Sequence, residues 1–156
     1  MRRLALRLRF FLLGGVSMGA ATVMITVGKN LPKQVVGAVA DCGYTSTKAI
    51  VCKVMRDMKL PPKVFYPFVR LGAKLFGHFD PDEISPIEAM KNAKIPVLFF
   101  HGDSDDFVPF DMSRENYDAC ISKKHLVTVK GAGHGLAYPK DPQAYVAEIK
   151  SFFENE

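Results

Sequence analysis

Three short apolar runs without polar alternation constrain this chain more than any other feature. Residues 35–40 (Val-Val-Gly-Ala-Val-Ala) end at Asp41, residues 95–100 form a second run, and residues 126–129 a third. Strands buried on both faces lose the inside–outside alternation. When helical stretches separate such runs, the implied class is α/β, with a mainly parallel sheet covered by helices on both sides. The intervening segments fit that scheme. Residues 45–58, 110–122 and 142–153 read as helices, the last with Tyr145, Ile149, Phe152 and Phe153 on one stripe. At 156 residues the chain has the length of a single modest domain, and it contains no internal repeat or low-complexity segment.

The interval 59–94 carries no strand signal. Pro62 is placed to open a helix whose Phe65, Phe68, Val69, Gly72, Leu75 and Phe76 fall at helical spacing, with Lys63, Arg70 and Lys74 opposite. Two readings of this segment stand side by side. It is an amphipathic helix packed on the domain, a helical cap-like insertion (59–94) supplying apolar walls to a pocket, or both at once.

The first thirty residues also have two readings. Arg2, Arg3, Arg7 and Arg9 precede a stretch from Phe10 to Gly28 without a charge, the charge pattern of a signal peptide or membrane anchor over residues 1–28. Against it, Gly14, Gly15 and Gly19 weaken a helix, and the run changes at Gly14 from bulky to small residues. We read a strand over about 4–13, a sharp turn, then a helix over about 18–28. Cys42, Cys52 and Cys120 are odd in number and lack close pairing, the usage of buried free thiols, so the expected location is cytoplasmic, with export or anchoring as the alternative.

Composition narrows the function classes. Hydrophobic residues at 48% and charged ones at 24% exclude whole-chain disorder. The net charge of +5 is spread along the chain without a basic run interleaved with aromatics, so no nucleic-acid partner is expected. No metal site is expected, because His78, His101, His125 and His134 stand far in sequence from the cysteines and from one another.

Three motifs bear on chemistry. Gly15-Val16-Ser17-Met18-Gly19 is G-x-S-x-G between an expected strand and an expected helix, the context of a nucleophile elbow. There a serine sits on a strained turn, and the N–H of Met18 at the helix start faces a developing oxyanion. Asp105, in His101-Gly102-Asp103-Ser104-Asp105-Asp106-Phe107-Val108-Pro109, follows the 95–100 strand, where a carboxylate can orient an imidazole; Asp103, Asp106 and the more distant Asp41 are its rivals. His134, in Gly131-Ala132-Gly133-His134-Gly135, follows the 126–129 strand on a glycine-lined loop and is suited to general-base work near neutral pH. Each signal alone is weak. Their chain order, Ser17, Asp105, His134, is the Ser–Asp–His order of one fold.

The segments GVSMGAAT (15–22), ADCGYTS (40–46), HGDSDDFVP (101–109) and GAGHG (131–135) resemble the C-terminal part of an α/β-hydrolase-fold serine hydrolase, in the bacterial serine-aminopeptidase-like branch. The resemblance covers nearly the whole chain. It implies a partial α/β-hydrolase fold of about four strands, and a triad of Ser17, Asp105 and His134 with Met18 in the oxyanion hole. It further implies a small-molecule acyl substrate cleaved through an acyl-enzyme, with no cofactor. Whether the bond is an ester, thioester or amide stays open. Such proteins carry several strands before the nucleophile strand, and one of their loops supplies a second oxyanion N–H. The expectation is therefore a truncated domain, either weakly active or a catalytically impaired remnant, whose first strand is an exposed apolar edge inviting self-association.

Overall fold

The computed structural model describes residues 10–154. Four strands form one sheet in the order of the chain: β1 (Phe11–Val16), β2 (Val35–Asp41), β3 (Val97–Gly102) and β4 (Lys124–Val129), every neighbouring pair parallel. Successive right-handed crossovers that never reverse direction place their helices on one face. That face carries α1 (Met18–Val27), α4 (Pro86–Met90) and α5 (Phe110–Ala119). Their Ala20, Met24, Val27 and Met90, with Cys120 just after α5, bury Ala38, Ala40, Val97 and Phe99 of the sheet. Among the described residues the other face is covered after β4, where α6 (Ala137–Lys140) and α7 (Pro142–Glu154) pack Ala137, Tyr145, Ile149, Phe152 and Phe153 on Val39, Leu98 and Phe100.

β3 is central and wholly buried, as its unalternated sequence requires. Gly37 decides where α7 can lie, because a Cβ there would stand 2.2 Å from the Phe153 ring. Phe11, Leu12 and Val16 are 53, 42 and 50% exposed, and β1 forms one edge of the sheet among the described residues.

Several expectations are corrected in detail. Most of the 4–13 strand falls outside the described residues, and the described part runs on to Val16 rather than stopping before the glycines. Gly14 and Gly15 belong to the strand, because Gly15 gives α1 room to lie against it. Two short helices, α4 and α6, carry no periodicity long enough to read.

The segment after β2 forms α2 (Thr47–Asp57) and α3 (Pro62–Phe76) as expected, but α3 does not bury its apolar stripe. Phe68, Leu75 and Phe76 are 68, 60 and 86% exposed, while the polar side is tied down. Arg70 and Lys74 both reach Asp80 at 2.7 Å, and the Tyr66 hydroxyl donates to Asp82. Tyr66 is the buried residue of this helix, with Lys48 of α2 over its ring. No described helix is long and apolar enough to cross a membrane.

Candidate active site

The C-terminal ends of the parallel strands bring the singled-out residues together. Ser17 lies between β1 and α1 with φ 55° and ψ −115°, a conformation that strains any residue with a Cβ. Two backbone hydrogen bonds hold it there. The Ser17 N–H donates to the Asp41 carbonyl at 2.8 Å, and the Ala21 N–H donates to the Ser17 carbonyl at 3.0 Å. Met18 begins α1, so its N–H is one of the helix-start groups with no partner inside the helix.

Beyond β4, positive φ at Gly131 and Gly135 (67° each) lets the loop turn back and carry His134 over the strand ends. The imidazole bridges the other two groups: Nδ1 is 2.8 Å from Asp105 Oδ2, and Nε2 is 2.9 Å from Ser17 Oγ. Asp105 is fixed in turn. Its Oδ1 accepts the N–H groups of Phe107 (3.0 Å) and Val108 (2.9 Å), and its side chain is wholly buried. The rival carboxylates do other work. Asp103 accepts the Gly131 N–H at 2.6 Å, tying the acid loop to the histidine loop, and Asp106 offers its carbonyl to Lys53. Ser46 and Ser85 cap α2 and α4.

Sequence reasoning passed over several residues around this constellation. His101, in the same motif as Asp105, is buried beside it. Phe107 lays its ring 4.9 Å from the His134 ring, and Lys53 Nζ stands 5.7 Å from the same Phe107 ring. Tyr145 stacks on Phe100 at 3.8 Å and donates its hydroxyl to Asp41 Oδ2 at 3.1 Å. The helical stripe places Tyr145 on the inner face of α7, but its hydroxyl partner is set by the sheet and is invisible locally.

Cys42 follows Asp41 on a tight turn at φ 46°, and its sulfur lies in a cluster with Asp105 and His134 whose ligand-type atoms are within 4.8 Å of one another. The fold thus brings a histidine to a cysteine that sequence distance had separated. Burial, with the nearby Asp41 charge, pushes the Cys42 thiol up to about 12, so it stays protonated near neutral pH. Asp105 and His134 already engage each other. The trio is therefore poorly suited to binding a cation. A concavity of about 340 Å³ opens next to the site, between β3, β4, α6 and α7, but neither Ser17 nor His134 lines it.

Asp41 is 1% exposed and one of its oxygens, Oδ1, has no hydrogen-bond partner. Burial raises its carboxyl to about 6, against the lowering pull of the Tyr145 and Cys42 hydrogen bonds and of His134. A raised folded-state value means that the native chain keeps a proton that the unfolded chain has already released between about pH 4 and 6. Stability from this group is therefore full below that window and lost as pH rises through it, by about 3 kcal/mol. Asp41→Asn carries no such charge. Urea unfolding from pH 4 to 7 is expected to fall less steeply with pH in the variant than in the parent, and parallel profiles would refute the assignment.

A serine on a strand-to-helix elbow, an imidazole on a later loop and a carboxylate after the intervening strand, above a parallel sheet, define the α/β-hydrolase class. Solved structures agree on the fold. An esterase of Pyrococcus furiosus superposes with a TM-score of 0.69 at 21% identity, over 94% of this chain and 54% of that one. The esterase domain of a Rhodothermus marinus protein gives 0.59 at 22% identity, over 88% and 56%. Residues 11–156 match the sequence pattern of the prolyl oligopeptidase family, and the chain belongs to that family. Among curated relatives, the YqkD protein of Bacillus subtilis (strain 168) is 25% identical over 142 residues, which are 90% of this chain and 47% of the relative. A bifunctional esterase/perhydrolase of Acinetobacter calcoaceticus is 28% identical over 98 residues, 49% of this chain and 36% of the relative. The chain spans less than half the length of the curated relatives it matches.

Proposed function

We propose that the chain carries the reacting residues of a serine hydrolase that cleaves ester or related acyl bonds. The observation behind this reading is the unbroken file Asp105 Oδ2, His134, Ser17 Oγ at 2.8 and 2.9 Å. Ser17 Oγ attacks the acyl carbon as His134 Nε2 takes its proton. The oxygen that becomes negative faces the start of α1, where the Met18 N–H is the nearest donor by position and the helix dipole favours the charge. The intermediate collapses, His134 returns the proton to the leaving group, and an acyl-enzyme remains. Water, deprotonated by the same imidazole, then releases the acid. Asp105 keeps the proton on His134 Nδ1 and stabilises the imidazolium.

The exposed apolar stripe of α3 supports its role as a cap that supplies apolar walls to an acyl group. Among the described residues β1 lies at the sheet edge with exposed apolar side chains, which supports self-association through that strand. The site itself is tested with a fluorophosphonate probe. Ser17 Oγ forms the P–O bond, fluoride leaves, and His134 takes the proton. Mass mapping is expected to find the adduct on Ser17 alone. An adduct on Ser46, Ser85 or Ser104, or one that persists in Ser17→Ala, would remove the nucleophile assignment.

A further inference from the structure

His101 sits at the end of β3, fully buried, and the reaction just described does not use it. Its ring has three polar neighbours. Nδ1 lies 2.6 Å from Ser113 Oγ on α5. Nε2 lies 2.9 Å from the Val108 carbonyl and 3.2 Å from Asp105 Oδ2. The chemistry of these neighbours fixes the proton. A carbonyl and a carboxylate only accept, so Nε2 carries the hydrogen, bonded to the Val108 carbonyl and within reach of Asp105 Oδ2. Burial lowers the basicity of this ring, which leaves Nδ1 with a lone pair. The Ser113 hydroxyl therefore gives its hydrogen to Nδ1 at 2.6 Å rather than to the Gly43 carbonyl at 3.4 Å.

We propose that His101 is a positioning residue for the hydrolase reaction: with its proton held on Nε2 by Ser113, it donates to Asp105 Oδ2 and locks that carboxylate in line with His134. This rests on the reading of Ser17, His134 and Asp105 given above. Asp105 then stands between two imidazoles. Asp105 Oδ2 has His134 Nδ1 at 2.8 Å and His101 Nε2 at 3.2 Å, while Phe107 and Val108 donate to Oδ1. With His101 as a fourth donor beside these three, the buried carboxylate has no freedom to rotate. Sharing Oδ2 also moderates its pull on the imidazolium of His134. The other titratable groups facing this point are Asp41 and Cys42 at the end of β2.

The competing explanation is purely architectural. The ring joins β3 to α5 through Ser113 and to the turn at Val108, and it meets Phe110 edge-on at 5.6 Å. The two accounts differ in what a donor-free residue does to the chemistry. His101→Leu removes the donor at similar volume, whereas the amide nitrogen of His101→Gln can take the place of Nε2. On the positioning account, kcat for a nitrophenyl ester falls about 10- to 100-fold in the leucine variant at little change in KM. The acid limb of its rate profile moves to higher pH, because an unshared carboxylate holds the imidazolium more strongly. Glutamine restores both.

A second measurement does not depend on the variants folding. Nitrogen NMR of the imidazoles in the native chain is expected to find His101 protonated on Nε2 alone from pH 5 to 9. A proton on Nδ1, or a folded leucine variant with unchanged kcat and acid limb, overturns the proposal. Fluorophosphonate labelling of the same samples separates the two levels. Failure to label Ser17 in the native chain sinks the hydrolase reading, while the His101 tautomer is still decided by its own spectrum.

Discussion

Replacing Asp105 by asparagine is expected to lower turnover about 10⁴-fold while leaving the fold and the position of Ser17 intact. The magnitude follows from which atoms the asparagine can present. Two backbone N–H groups, of Phe107 and Val108, already point at Oδ1, so the amide oxygen must take that place. Its NH₂ then occupies the position of Oδ2 and faces His134 Nδ1 across 2.8 Å. Two donors cannot share one hydrogen bond, so His134 shifts its proton to Nε2. The N–H now points at Ser17 Oγ, where a lone pair is required, and the serine proton has nowhere to go. His101 Nε2 is likewise left donor to donor at 3.2 Å. The check is the steady-state rate on a nitrophenyl ester with circular dichroism of the same sample. A folded variant within tenfold of the parent would mean that Asp105 does not set the tautomer.

The sheet and the three candidate site positions were legible because each rests on short-range rules. Unalternated runs at 35–40 and 95–100 give buried parallel strands, and the glycine-bounded serine and histidine mark backbone turns that few other residues permit. What stayed hidden depends on contacts between distant segments. His101 reads as part of a strand end, and only the placement of Ser113 and Val108 around it makes it a donor to Asp105. Asp41 could have been a rival acid by its place after β2, yet the hydroxyl of Tyr145, on a helix 104 residues further along, turns it away from that role. The stripe on α3 shows the limit from the other side. Helical periodicity identified the helix but not which face is covered, because Asp80 and Asp82 bind its polar side.

Symmetry in the motif hides an asymmetry in space, and this gives the other large expected effect. Gly15 and Gly19 are equivalent in G-x-S-x-G, and the simple expectation is that both avoid clashes around the serine. A Cβ on Gly19 meets nothing within 4 Å, whereas one on Gly15 would lie 2.3 Å from the carbonyl carbon and oxygen of Gly19 and 2.7 Å from the Ala20 nitrogen. Those are backbone atoms, so no rotamer can give way. In Gly15→Ala the start of α1 must retreat from β1, and Ser17 is held to both, to α1 through Ala21 and to the sheet through Asp41. Overpacking of this kind costs about 1–3 kcal/mol in stability. Displacing Oγ by about 1 Å from its 2.9 Å contact with His134 costs on the order of 10²-fold in rate. Gly19→Ala, by contrast, adds a methyl in open space on a helix and is expected to keep activity, with a gain of up to about 1 kcal/mol from helix propensity. Urea unfolding and the rate of fluorophosphonate labelling of the two variants, measured side by side, decide the point. Equal damage from both would show that the elbow needs two bare backbones and not one.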